Sequence, residues 1–377
     1  MSSTSPEILS VVGARPQFVK LSPIARALDR VGGVSHRVVH TGQHYDERMS
    51  SVFFDQLRLP PPEINLGVGS AAHGAQTAAM LAALEECLLQ RRPAAVVVYG
   101  DTNSTLAAML AATKLHVPVA HVESGLRSFD RAMPEEINRV ATDHCSDRLY
   151  APTPLAMDNL RHENLASRAV LSGDVMRDAV LTHHETAAVS SRALEELELG
   201  GSDFALLTLH RPANTTREAL VALLHGLAEL AGERFRLLFP VHPRTLAVLG
   251  DELGALPGAI RPVEPLSYLD LLRVLGEARL VVTDSGGLQK EAAFLRTPCI
   301  TVREETEWVE TVDMGVNRLV GRDRHRLRAA FERYVGGPDP FTDEVSREMD
   351  RHYGTGEAAR VLCDDLLAWI DEGDRRV

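Results

Sequence analysis

Several carboxylates in this 377-residue sequence stand just beyond short apolar runs, where acid–base chemistry is easily staged. Asp101 lies in Tyr99-Gly100-Asp101-Thr102-Asn103-Ser104, and Glu123 in His121-Val122-Glu123-Ser124-Gly125-Leu126-Arg127. Glu135 and Glu136 follow Pro134 and precede Asn138-Arg139. Carboxylates gathered at one carbon can remove a proton from one face and return it on the other. Plainer readings compete. Asp is a common helix N-cap, which would account for Asp101. Acidic side chains in a first helical turn complement the macrodipole, which accounts for at least one of Glu135 and Glu136. Glu is a poor cap, so Glu123 is the hardest to explain structurally. His210 opens His210-Arg211-Pro212-Ala213-Asn214, and histidine can move a proton near neutral pH or donate to a phosphate.

Two segments suit an anion. In Asp284-Ser285-Gly286-Gly287 a strand gives way to glycines and then to the helical pattern Leu288–Leu295. Backbone N–H groups at such a helix start attract phosphate. Glu291, one turn beyond Gly287, could accept hydrogen bonds from ribose hydroxyls. In Gly13-Ala14-Arg15-Pro16-Gln17-Phe18-Val19-Lys20 a turn carries Arg15, and the opening helix carries Lys20. Arg binds phosphate as a fork and Lys as a point charge. The competing readings are an ordinary glycine-assisted turn and two solvated cations.

The elements that must position these residues alternate β and α. Short apolar runs occur at Ile8–Val12, Val38–His40, Ala94–Val98 and Val117–His121. The pattern restarts near Gly200 with Phe204–Thr208, Leu237–Val241, Leu280–Thr283 and Pro298–Val302. Helical segments separate them, which implies βαβ units and parallel sheets covered on both faces. The expected fold class is α/β: two Rossmann-like, doubly wound domains facing across a cleft, with site residues at strand ends. The expected domains are 1–173 and 174–356, with a last amphipathic helix in 357–377. Gly67-Val68-Gly69 with Gly74 has the wrong spacing for a dinucleotide fingerprint.

Composition narrows the function. The formal charge is -12, and no basic block appears, so nucleic-acid binding is not expected. The four cysteines are scattered, with no zinc or disulfide spacing. No signal peptide or membrane-length apolar run is present, and the reading is a reduced, cytoplasmic protein.

Taken in order, these segments resemble the non-hydrolysing UDP-N-acetylglucosamine 2-epimerases. The likeness covers Gly13–Pro16 with Lys20, Gly100–Thr102, His121–Arg127, Pro134–Arg139, Thr208–Asn214 and Asp284–Glu291. It implies a glycosyltransferase-B-like fold whose last helix, in 357–377, returns to the first domain, a homodimer, a UDP-sugar substrate and no cofactor or metal. It assigns catalysis to Asp101, Glu123, Glu135 and His210, and UDP binding to Arg15, Lys20, His242, Ser285, Gly286, Gly287 and Glu291. The 1–173 domain would carry the acids, and the 174–356 domain would bind UDP. The implied reaction is reversible C2 epimerisation through loss and re-addition of UDP. Two departures stand out: Gln17 where many members have Glu, and Trp308 where many have Arg. Gly42–Asp46 and Arg127–Arg131 resemble a subgroup that also epimerises UDP-2,3-diacetamido-glucuronic acid. A glycosyltransferase of the same fold, a hydrolysing epimerase and a non-catalytic nucleotide-sugar sensor are the rival readings.

Overall fold

The computed structural model describes residues 5–43, 53–201, 203–211, 214, 216–232 and 235–374. The chain forms two compact units. The first comprises Met1–Ala179 with Asp350–Val377, and the second comprises Val180–Met349.

In the first unit the strands are β1 (Glu7–Val12), β2 (Ser35–His40), β3 (Ile64–Asn65), β4 (Ala95–Tyr99), β5 (Val119–Val122), β6 (Arg148–Ala151) and β7 (Ala169–Leu171). They make one sheet in the order β3-β2-β1-β4-β5-β6-β7, with every neighbouring pair parallel. The β4 sequence Ala-Val-Val-Val-Tyr is buried throughout, as a strand covered on both faces requires. Leu9, Val11, Val39, Val96 and Val98 pack with Met80, Leu84, Ala108 and Ala112 of the helices His73–Arg91 and Asn103–Lys114. The helix Ala358–Asp374 lies against the helix Arg15–Val31. Its Asp365 accepts hydrogen bonds from Arg148 Nε at 2.8 Å and Tyr150 Oη at 3.0 Å, both on β6.

The second unit repeats the design with β8 (Phe204–Thr208), β9 (Arg236–Pro240), β10 (Ile260–Val263), β11 (Leu280–Thr283), β12 (Cys299–Thr301) and β13 (Asn317–Leu319). The sheet order is β10-β9-β8-β11-β12-β13, again parallel. Alternate residues serve opposite faces, as strand geometry dictates. Ala205, Leu207, Leu237 and Phe239 join Leu220, Leu224 and Leu227 of the helix Arg217–Ala231. Phe204, Leu206 and Leu238 join Val274 and Leu275 of the helix Tyr268–Glu277. In each sheet the strand order reverses beside the first strand of the unit, at β1/β4 and at β8/β11, where open α/β sheets bind ligands.

The chain leaves the first unit inside the helix Val175–Ser190, not at the expected 173/174 step. The reason lies in bonds from the start of that helix to the late chain. Asp174 N donates to Tyr353 O at 2.9 Å, and Arg177 meets Asp350 at 2.6 Å. Asp178 accepts from Ala358 N and Ala359 N at 3.2 and 2.8 Å. Burial nevertheless pushes the Asp178 carboxyl up to about 6. The same bonds bring the return to the first unit forward, to Asp350.

Candidate functional site

In the first unit the expected residues gather at the β1/β4/β5 edge. A Cβ on Gly13 would sit 2.0 Å from Thr41 Oγ1 and 2.3 Å from Ser104 Oγ, so the turn after β1 needs glycine. Gln17 braces that turn. Its Oε1 accepts from Gly13 N and Ala14 N at 2.7 and 3.0 Å, and its Nε2 donates to Tyr99 O at 2.9 Å and Thr105 Oγ1 at 3.0 Å. A carboxylate could not donate to Tyr99 O, so the amide is suited to this position. Arg15 opens the helix, partly exposed, with its guanidinium carbon 4.6 Å from the centroid of the Phe53 ring.

Lys20 is buried, and its ammonium pairs with the Glu123 carboxylate, which is nearly buried too. Both reach Gly100, where an added Cβ would lie 3.1 Å from Lys20 Nζ and 3.3 Å from Glu123 Oε2. Glu123 has φ +70°, a left-handed conformation that costs a non-glycine residue about 1–3 kcal/mol. Asp101 pairs with Arg139. The helix that follows is capped not by Asp101 but by Thr102, whose side chain accepts from Thr105 N. The capping explanation of Asp101 therefore fails.

Burial separates Glu135 from Glu136. Glu136 is buried and accepts from Ser128 N at 2.9 Å, Ser128 Oγ at 3.0 Å, Phe129 N at 3.1 Å and Arg139 Nη1 at 2.7 Å. Burial alone would raise its pKa, but these donors hold the carboxyl below the ordinary range. Glu135, its neighbour on the helix Pro134–Cys145, is exposed. Arg139 thus joins Glu136 to Asp101, and its charge is felt by Glu123 as well.

Behind these groups lies a buried network that the sequence reading missed. His121, fully buried, sets Nδ1 2.7 Å from Asp143 Oδ1 and Nε2 2.8 Å from Gly100 O. Asp143 Oδ2 accepts from Gly125 N at 3.0 Å and Arg127 Nη1 at 2.7 Å. Burial opposes its charge, but His121 and Arg127 lower the Asp143 pKa below the ordinary value. The network ties together the Gly100–Asp101 turn and the Glu123–Gly125 turn. An ionisable His on an otherwise apolar strand was its one visible signal. Nothing in the sequence marks Asp143.

In the second unit the β8 and β11 ends meet. Asp284, fully buried, accepts from His210 N at 3.1 Å, Arg211 N at 3.0 Å and Asn214 Nδ2 at 3.1 Å. His210 Nδ1 is 3.3 Å from Asp284 Oδ1, and its ring lies 5.9 Å from that of His242. His242 caps the helix Pro243–Leu249 by accepting from Arg244 N at 3.2 Å. Burial, with His210 and Arg244 nearby, depresses its pKa. Ser285 caps the helix Gly286–Phe294 by accepting from Leu288 N, so the helix begins at Gly286, two residues before the expected start at Leu288. Glu291 is buried on its second turn. Trp308 donates its indole N–H to Gly286 O at 2.9 Å, and the Lys290 ammonium lies 3.9 Å from the centroid of a Trp308 ring. Arg303, also missed in the sequence, stands over the same helix start.

His44–Asp46 of the subgroup segment, and Pro212 and Ala213 of the His-Arg segment, lie outside the described residues. Among the described residues no His, Cys, Asp and Glu side chains are grouped to hold a metal. No described helix is long and apolar enough to cross a membrane.

The sequence pattern of the UDP-N-acetylglucosamine 2-epimerase family matches residues 26–367. A UDP-2,3-diacetamido-2,3-dideoxy-D-glucuronate 2-epimerase of Pseudomonas aeruginosa is 42% identical over 96% of this chain and 99% of its own length. A UDP-N-acetylglucosamine 2-epimerase of Methanocaldococcus jannaschii is 44% identical over 85% of this chain and 90% of its own. A crystal structure of Methanocaldococcus jannaschii UDP-GlcNAc 2-epimerase, in complex with UDP-GlcNAc and UDP, superposes with TM-score 0.84 at 39% identity. It covers 96% of this chain and 99% of that one. With the strand-end acids, the histidine and the glycine-opened helix all in place, the chain belongs to the UDP-N-acetylglucosamine 2-epimerase family.

Proposed function

We propose that this protein interconverts UDP-N-acetylglucosamine and UDP-N-acetylmannosamine by C2 epimerisation. The observation that carries the reading is the placement of Asp101 and Glu123 at one sheet edge, held by Arg139 and Lys20 instead of being spent as caps. The C2 hydrogen of an N-acetyl sugar has no adjacent carbonyl, so direct removal has little driving force. Breaking the bond from C1 to the UDP oxygen gives C1 oxocarbenium character and acidifies C2–H. One carboxylate among Asp101, Glu123 and Glu135 then takes the proton, leaving UDP and a 2-acetamidoglucal. Re-addition of UDP with protonation of C2 on the opposite face gives the epimer, which calls for a second acid–base group. The Gly286–Phe294 helix start, Ser285, Arg15 and His210 suit the charge that builds on the leaving diphosphate. Glu291 suits the ribose hydroxyls. Lys20, already paired with Glu123, acts on this reading through that carboxylate. On the family reading the enzyme is a cytoplasmic homodimer, which light scattering of the purified protein tests for oligomeric state.

The test is incubation with UDP-N-acetylglucosamine in heavy water, followed by proton NMR. Deuterium enters C2 of both epimers. If no epimer forms and C2 stays unlabelled, the substrate assignment fails. The Pseudomonas aeruginosa relative supports a second reading, epimerisation of UDP-2,3-diacetamido-glucuronic acid, which the same experiment distinguishes with that sugar.

A further inference from the structure

A charged pair stands over the start of the helix Gly286–Phe294. Arg303 Nη1 and Nη2 donate to Glu307 Oε2 and Oε1 at 3.0 and 2.9 Å, the two-pronged fit that guanidinium also makes with phosphate. A Cβ placed on Gly286 would lie 3.5 Å from Glu307 Oε2 and 3.8 Å from a terminal nitrogen of each of Arg211 and Arg303. Two guanidinium groups and one carboxylate therefore converge on the first residue of the helix. The segment is pinned there. Trp308 donates to Gly286 O at 2.9 Å, and Thr306 Oγ1 donates to Gln289 Oε1 at 2.6 Å. Burial would raise the pKa of Glu307, but its bonds to Arg303 and the charges of Arg303 and Arg211 keep it below the ordinary carboxylate value.

Two arginines above a helix N-terminus make a place for an anion, and here the protein supplies the anion itself. We propose that Glu307 is an internal stand-in for a phosphate group, exchanged for the nucleotide's diphosphate on Arg303 and Arg211. Arg303 becomes a diphosphate-binding residue, and Glu307 a built-in competitor that weakens the hold on UDP. The inference rests on the nucleotide-sugar reading above and adds to it. An enzyme that must keep UDP through bond cleavage and then release a nucleotide-sugar has a use for such a competitor, because the carboxylate reclaims the arginine as the product leaves.

Calorimetric titration of the full chain with UDP, inorganic pyrophosphate and uridine tests this. Glu307→Gln, which keeps the shape of the side chain, tightens UDP and pyrophosphate at least about five-fold and leaves uridine unchanged. Glu307→Ala does the same and guards against a peculiarity of the amide; circular dichroism checks that both variants fold. Arg303→Gln weakens UDP and pyrophosphate by about ten-fold or more. If Glu307 merely orients Arg303, its removal weakens or leaves unchanged the binding of both anions, and the proposal is overturned. Wild-type protein that binds no UDP overturns the nucleotide-sugar reading. Tighter pyrophosphate binding by Glu307→Gln in that case still supports the exchange.

Discussion

Glu135 and Glu136 are adjacent and chemically identical, yet the structure gives them opposite fates. The Glu136 side chain is about 4% exposed and accepts from two backbone N–H groups, a hydroxyl and a guanidinium. Replacing it with Ala leaves Ser128 N and Phe129 N without their acceptor. Each costs about 1–3 kcal/mol if it stays dry. Arg139 loses one anion but keeps Asp101, so the full 3–5 kcal/mol of a broken buried pair does not apply. Phe129 has φ +60°, and relaxation of that strain once the loop is released returns part of the loss. The net expectation for Glu136→Ala is about 3 kcal/mol, a fall of ~6–12 °C in the unfolding temperature of a domain this size. Glu135→Gln, on an exposed side chain, shifts stability by less than ~0.5 kcal/mol but cuts turnover by ~10²-fold. Differential scanning calorimetry and NMR progress curves on the same preparations measure both. Because the folded pKa of Glu136 is depressed, its contribution is fully present above the free-Glu value of ~4.3 and is lost as pH falls through the lowered value. The stability gap between wild type and Glu136→Gln therefore closes in acid. The reasoning is refuted if Glu135→Gln is fully active, or if Glu136→Ala melts with the wild type.

Asp101→Asn and Glu123→Gln each reduce turnover by ~10²-fold or more, read from C2 deuterium incorporation, with both variants still folded by circular dichroism. Gln17→Glu removes the donor to Tyr99 O and buries a carboxylate. Urea titration shows a loss of ~2–4 kcal/mol. Gly125→Ala fails structurally, since φ is +80° and the new Cβ falls 2.4 Å from the Ala156 carbonyl oxygen; the loss exceeds ~2 kcal/mol by the same titration. Ser285→Ala and Glu291→Ala each weaken UDP by ~1–3 kcal/mol in calorimetry.

Much of this architecture is legible in the sequence because parallel strands buried on both faces leave unbroken apolar runs, as Ala95–Tyr99 does. The polar residues that end those runs then fall at the ligand edge of the sheet. Short edge strands such as Ile64–Asn65 and Asn317–Leu319 leave no such run and stay invisible. Pairwise contacts are the other blind spot. The choice between Glu135 and Glu136 depends on which side chain meets the Ser128–Phe129 backbone, and the cap depends on Thr102 reaching Thr105 N before Asp101 does. Asp143 belongs to a segment with no local signature and acquires meaning through His121, Gly125 and Arg127, and Arg303 through the distant Gly286 helix start that it and Glu307 approach. The unit boundary is hidden for the same reason: a continuous helix crosses it, and bonds to residues 350–359 decide where it falls.

That crossing also sets an order of events during synthesis. Val180–Met349 is an uninterrupted stretch, and every strand of its sheet has been made before Asp350 is added. The first unit, begun earlier, waits longer: the caps on Asp178, and the Asp365 carboxylate that closes over Arg148 and Tyr150, arrive only with the late helix. A chain truncated after Met349 therefore holds every residue of the second unit, while the first unit still lacks the late helix that covers its flank. Protease digestion of that truncated chain spares the later-made unit and nicks the earlier one.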